Sequence, residues 1–398
     1  MSCDAGTRLK TLRVDTETES RSIWRLAGGP ARASAAARLA RVAAGEGAAI
    51  ALFVTILGGT SDAAFDPREA TPRAADTVER RVLIMGTTFD VLVRASNRSR
   101  GLAAIETAVN EVAGLEDRLS TWRGDGPLFR LNQAAPGEEI ALDPEIFAVV
   151  SEVFRWAERT NRAFDPTVLP LVLAWDLRGA GRVASTEEIA AALAAMGPGR
   201  FRLDADRRTI ARLDPRAGID EGAWGKGYAL DRVAARLRAS GVADAWLDLG
   251  GEVLGKGSEA GPWTVPVAHP RDRRKPAALL ALPDGLALST SGDSERRRQV
   301  AGRSIGHLLD PHTGRPAPDF GSVCVVAGSG FAADVLSTAF FVLGPREGLA
   351  LSDRLRAEGI PNEALFLVDE GGALELPHSP GMSRFLLSTV PGVAAGAR

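Results

Sequence analysis

The order in which strand-like and helix-like segments appear limits the fold of this 398-residue chain more than any other feature. Two β-type runs, Val82-Leu83-Ile84 and Phe89-Asp90-Val91-Leu92-Val93, are joined by Met85-Gly86-Thr87-Thr88 before any helical pattern begins. A helix then carries Ile105, Val109, Val112, Leu115 and Leu119 at three- and four-residue steps, hence on one face. Asp143-Pro144 predicts a capped start for a second helix that turns Ile146, Val149, Val150, Val153, Phe154 and Ala157 inward. A third holds Ile189 and Leu193 and stops at Gly197-Pro198-Gly199. Residues 201–213 alternate loosely about the turn Asp204-Ala205-Asp206. A helix with Leu230, Val233, Ala234 and Leu237 along one side runs from about Gly227.

Strands then cluster. Ala245-Trp246-Leu247 ends at Gly250-Gly251, and further runs occupy 263–267, 278–282 and 286–290. The last helix spans about 331–343, and a hairpin turns at Asp369-Glu370-Gly371. Blocks of this kind lack the strict alternation of a doubly wound sheet. They predict an α+β fold with mixed or mainly antiparallel sheets and flanking helices.

Charge narrows the partners. Lys plus Arg is 48 and Asp plus Glu is 50, a formal net charge of −2, so no basic footprint for nucleic acid is present. The arginine runs at 271, 273, 274 and at 296–298 read as solvated loops. Cys3 and Cys324 form no metal-binding spacing, and Cys324 within Val323-Cys324-Val325-Val326 reads as inert packing in a buried strand.

The first eighty residues differ in character. An Ala-, Arg- and Gly-rich stretch leads to an apolar run at 48–57, too short to span a bilayer, and then to Gly58-Gly59-Thr60-Ser61. With Arg38 and Arg41 before it and Ala63-Ala64 after it, the run reads as a secretory signal whose true start lies downstream of Met1. The alternative is a disordered leader on a cytoplasmic protein. The chain therefore divides into a leader at 1–79, a folded domain at 80–385 and a tail at 386–398. The leader reading places the protein in the periplasm or on the outer face of the inner membrane.

Several residues carry chemistry. Asp334 and Thr338 lie one helical turn apart, so a carboxylate and a hydroxyl face the same way. An oxygen pair of this kind suits a hard cation such as Mg²⁺, with further ligands from carbonyls, water and substrate phosphates. His307 precedes the turn Asp310-Pro311-His312-Thr313-Gly314. It reads either as a satisfied core histidine or as part of a polyphosphate pocket. Gly225-Lys226-Gly227 precedes a helix, where glycines admit a ligand and the helix start favours an anion. Trp122, in Leu119-Ser120-Thr121-Trp122, offers a flat face for an isoalloxazine or adenine ring, or else packs.

Taken in order, these segments resemble the FAD:protein FMN transferases, the ApbE-like family first met as thiamine-biosynthesis lipoproteins. The resemblance covers about residues 80–385. It rests on Met85-Gly86-Thr87, Leu119-Ser120-Thr121-Trp122 with Leu131-Asn132, and Ala163-Phe164-Asp165-Pro166-Thr167-Val168. Gly225-Lys226-Gly227-Tyr228-Ala229 with Asp231, Leu249-Gly250-Gly251 and Ser289-Thr290-Ser291-Gly292-Asp293 follow. His307-Leu308-Leu309-Asp310-Pro311 with Thr313-Gly314, and Ala333-Asp334 with Ser337-Thr338, complete it.

The resemblance implies one FAD in a cleft between two lobes. It implies FAD contacts from Met85, Trp122, Ala163, Phe164, Asp165, Asp220, Lys226 and the Leu308 backbone. It implies a Mg²⁺ position made by the Ala223 carbonyl, Asp334 and Thr338. The implied reaction moves the FMN half of FAD onto a Thr or Ser hydroxyl of an acceptor protein, a membrane redox subunit, and releases AMP. His307 and Asp310 are the candidate bases. Two other readings use nearly the same residues: a Mg²⁺-dependent FAD pyrophosphatase, and a flavin-binding carrier without catalysis.

Two departures from the family stand out. Trp122 takes the place of a usual tyrosine. Asp220-Glu221-Gly222-Ala223-Trp224 is bulkier and more acidic than the usual small apolar stretch. Trp224 is expected to pack under the loop and Glu221 to face solvent; a Glu221 aimed into the diphosphate pocket would oppose an anion unless it joined the metal shell.

Overall fold

The computed structural model describes residues 77–389, apart from 123, 258–260, 294–297, 301 and 372. The leader lies outside the described residues except for its last three positions. Cys3, the apolar run at 48–57, Arg296, Arg297 and residues 390–398 of the tail also lie outside them.

The frame is one eight-stranded sheet. Its strands are β1 (Thr77–Ile84), β2 (Thr87–Arg94), β3 (Asp244–Leu249), β4 (Glu252–Lys256), β5 (Ala287–Gly292), β6 (Gly321–Ala327), β7 (Asn362–Glu370) and β8 (Ala373–Glu375). Spatial order follows chain order, and every neighbouring pair is antiparallel. The α+β class with mainly antiparallel pairing is therefore as expected.

Side chains alternate across this sheet with the strand period of two. Val323, Val325 and Ala327 join Phe89, Val91 and Leu247 in a large core shared with helices. Cys324 and Val326 point the other way, into a core with Leu365, Leu367 and Leu280. That second face is covered by a three-stranded sheet of Trp263–Ala268, Pro276–Leu282 and Leu386–Thr389. β6 is thus buried at every position, which explains its unbroken apolar run and the inert, fully buried Cys324.

Seven helices are described: α1 (Arg98–Leu119), α2 (Pro127–Gln133), α3 (Pro144–Arg159), α4 (Leu169–Ala174), α5 (Thr186–Ala195), α6 (Gly225–Ala239) and α7 (Gly330–Ala357). Ile105, Val112, Leu115 and Leu119 of α1 are buried. Asp143 caps α3 by accepting from Glu145 N and Ile146 N at 3.0 Å each. Ser185 and Glu188 close a reciprocal capping box on α5. α7 runs past the expected stop near Leu343. Gly344, at φ 76°, and Pro345 interrupt it, and the chain resumes helix to bury Leu351 and Leu355. A separate apolar cluster gathers Leu171, Trp175, Ile189 and Met196 with Ile305 and Leu309.

Four chain reversals and starts converge at one end of this frame. The β1–β2 turn is Met85 (φ 51°) and Gly86 (φ 69°), a left-handed pair that matches hairpin twist. The β3–β4 turn at Gly250 donates its N–H to Thr88 O at 2.9 Å. A Cβ on Gly225 would lie 3.6 Å from the Met85 methyl. A Cβ on Gly227 would lie 2.1 Å from Gly330 O, so the first turns of α6 and α7 meet backbone to backbone.

Candidate active site

At that meeting point the Asp334 carboxylate is almost fully buried. Its Oδ2 accepts the Gly227 N–H at 3.1 Å. This amide is thereby directed away from the Ala223 carbonyl four residues back, its acceptor in a regular helical turn. Thr338, one turn further along α7, is half-buried. Ser337 between them donates to Asp334 O at 3.0 Å and meets Ser289 Oγ at 3.0 Å and Ser291 Oγ at 2.9 Å. The N-terminal half of α7 is thus fastened to β5 about two turns from its start.

Lys226 lies beside Asp334, as does a residue the sequence did not single out. The Lys226 ammonium is 2.8 Å from Glu252 Oε1, 3.7 Å from Asp334 Oδ2 and 3.1 Å from Gly222 O. Glu252 is buried and its Oε2 has no donor among the described residues. Burial first, and the Asp334 charge second, push its carboxyl well above the usual range, against the pull of Lys226. Asp231, on the next turn of α6, accepts Gly330 N at 2.6 Å and Phe331 N at 2.9 Å, fixing the start of α7. Burial raises its carboxyl to about 6 despite those two bonds.

A second group of residues lies around Trp122, whose ring is half exposed. The Arg178 guanidinium sits 4.4 Å from the ring centroid. It donates to Thr121 O, Thr121 Oγ1 and Asp220 Oδ2, each at 2.7 Å. Asp220 in turn accepts Gly222 N at 2.8 Å, which ties this group to the loop below Lys226. Trp224 is buried under that loop, as expected, and donates to Asp220 O at 3.0 Å. Glu221 does not face solvent freely. It is half-buried and accepts the Thr121 hydroxyl, while its methylenes stand beside Gly225. Burial and the neighbouring Asp220 raise its carboxyl to about 7.

Ala163 and Phe164 are buried and leave only backbone to offer a ligand. Asp165 is committed to its own turn: it accepts Arg162 Nε at 2.7 Å and Thr167 N at 2.8 Å. Asp310 is likewise held by its turn, accepting His312 N and the Thr313 hydroxyl at 2.8 Å each. The Leu308 carbonyl accepts Ala317 N at 2.9 Å. The carboxylate beside His307 is Asp293 instead. Asp293 Oδ1 is 3.1 Å from His307 Nδ1 and also accepts the His307 N–H at 3.1 Å. The ring contact is poorly aligned, so Nδ1 lacks a true hydrogen bond. Asp293 follows Ser291 on the strand bonded to α7, which places the histidine segment on the same frame as Asp334.

The structure therefore joins Met85, Asp220, Ala223, Lys226 and Asp334 through the 220–227 segment, and joins Trp122 to it through Arg178. Glu252 and Arg178 were missed, and Asp293 was named only as the end of a motif, with no role beside His307. Glu252 immediately follows a Gly-Gly turn, and an acid there reads as solvent-facing. Only the antiparallel register that pairs it with Leu249 buries it.

The ApbE family model matches residues 85–360. Among curated proteins, the FAD:protein FMN transferase of Vibrio cholerae is 30% identical over 297 residues, 72% of this chain and 86% of that protein. The Salmonella typhimurium protein of the same name is 28% identical over 350 residues, 85% of this chain and 97% of its own length. Among solved structures, the ApbE protein of Thermotoga maritima superposes with a TM-score of 0.71 at 29% identity, covering 79% of this chain and all of that one. The apo flavinyl transferase ApbE of Pseudomonas stutzeri gives 0.68 at 28% identity, over 79% of this chain and 98% of that one.

Proposed function

The chain belongs to the ApbE family, and on that premise we propose that it is a FAD:protein FMN transferase. One observation carries the reading: a half-buried lysine held between two buried carboxylates where two helix starts meet. Peptide dipoles and the Lys226 ammonium there favour an anionic diphosphate. Trp122 presents a face for one ring of FAD.

The donors fit a Mg²⁺ ion: the buried Asp334 carboxylate, the Thr338 hydroxyl and the Ala223 carbonyl, whose helical donor Asp334 has taken. Bound there, the ion would supply charge neutralisation on the phosphoryl oxygens. Lys226 stabilises the same developing charge from the protein side. A Thr or Ser hydroxyl of the acceptor forms a bond to the FMN-side phosphorus, and the P–O bond to AMP breaks with its electron pair. The hydroxyl proton passes to a base, for which His307 is better disposed than Asp310, because Asp310 is occupied within its own turn. The leader reading favours an acceptor that is a membrane redox subunit outside the cytoplasm.

The test is incubation with FAD, Mg²⁺ and a candidate acceptor. Flavin that stays on the denatured acceptor, and is lost with Asp334→Ala, supports transfer. Free FMN and AMP alone would make the protein a pyrophosphatase. Binding of FAD insensitive to chelator would make it a carrier.

A further inference from the structure

We propose that Arg178 is a positioning residue for the flavin dinucleotide: it braces the Trp122 ring from behind and locks that ring to the loop carrying Lys226. The inference rests on the transferase reading above. Three bonds of the guanidinium fix its plane, two to Thr121 and one to Asp220. Its contact with the indole fixes the ring next in sequence. A half-exposed tryptophan on a short connection would otherwise sample several rotamers, and ordering it would weaken ligand binding. The same guanidinium offsets the charge of Asp220 beside the proposed diphosphate site. Its buried Nε–H meets no acceptor among the described residues. Arg178 thus lets the chain carry tryptophan and two consecutive acids, Asp220 and Glu221, beside an anion site.

Binding of FAD to the full chain, read by flavin fluorescence quenching and equilibrium dialysis, tests this in a double-mutant cycle. Arg178→Gln is expected to raise the FAD dissociation constant about tenfold and to weaken quenching. In a Trp122→Leu background the same change should cost less than about twofold, because the platform it braces is gone. A purely structural arginine would cost the same in both backgrounds, and that result overturns the proposal. Should Arg178→Gln fail to fold, Arg178→Lys decides. It keeps a cation for Asp220 without the planar stack, so weakened FAD binding supports the proposal and wild-type binding overturns it. A wild-type protein that does not bind FAD overturns both this inference and the transferase reading. Normal binding with an unaffected Arg178→Gln overturns this inference alone.

Discussion

The Lys226 ammonium lies 2.8 Å from Glu252 and 3.7 Å from Asp334, so one cation bridges two buried carboxylates brought together from β4 and α7. Two such acids at close quarters repel each other in a weakly screened interior, and both the cation between them and the raised carboxyl of Glu252 relieve that repulsion. Neither acid lies near the lysine in sequence. Strand register and a helix-to-helix contact place them there.

Glu252→Gln is expected to leave the fold nearly as stable as before, since the amide oxygen still accepts from Nζ. Flavin transfer should fall about 10–100-fold, the usual cost of disturbing the residue that orients a site group. Thermal melting together with the transfer assay checks this, and full activity would show that the pair is merely structural.

Asp334→Ala removes the acceptor for Gly227 N–H and one of the two counter-charges of Lys226. Transfer should drop by on the order of a hundredfold or more. Binding of Mn²⁺, followed by electron paramagnetic resonance as a stand-in for Mg²⁺, should be lost in parallel. Retained Mn²⁺ binding would locate the cation elsewhere.

Asp231 gives a pH signature. Its carboxyl ionises at about 6 in the folded protein and near 4 when unfolded. Between those values the folded state holds the extra proton, so stability falls as pH rises from about 4 to about 6 and is level above that window. The slope contributed is at most about 1.4 kcal/mol per pH unit. Asp231→Asn keeps an acceptor for the α7 start and should remove this part of the slope in denaturant titrations at several pH values.

Gly227→Ala would drive a methyl into Gly330 O, at 2.1 Å, and should destabilise the protein by about 1–3 kcal/mol or more. Gly114→Ala is the control. It sits inside α1 with nothing within 4 Å of its Cβ, and should stabilise by about 0.5–1 kcal/mol. Equal melting temperatures for the two variants would mean that the helix starts are not in contact.

The legible parts of the fold were those written in local periodicity. The buried stripe of α1, the Asp143 cap of α3 and the hairpin of β7 and β8 lie where apolar spacing and turn residues put them. α2 and α4 were missed because seven and six residues are too few to display a helical repeat. The second half of α7 was hidden because Gly344-Pro345 has the form of a stop signal, and only burial of Leu351 and Leu355 continues it. In the site, Lys226 and Asp334 were visible from their settings. The roles of Glu252, Asp293 and Arg178 were not, because their partners are supplied by pairing across 26, 14 and 42 residues of chain respectively.

The backbone contact between Gly227 and Gly330 bears on how this protein can be re-engineered. No side chain fits at either position, so on the proposed binding mode the helix contact beside the anion site would be common to any flavin analogue that binds there. A library seeking new donor substrates should keep both glycines fixed and randomise positions 122 and 308. Those side chains are only partly enclosed, and on the proposed binding mode diversity there should alter ring selectivity while leaving the Gly227–Gly330 contact intact.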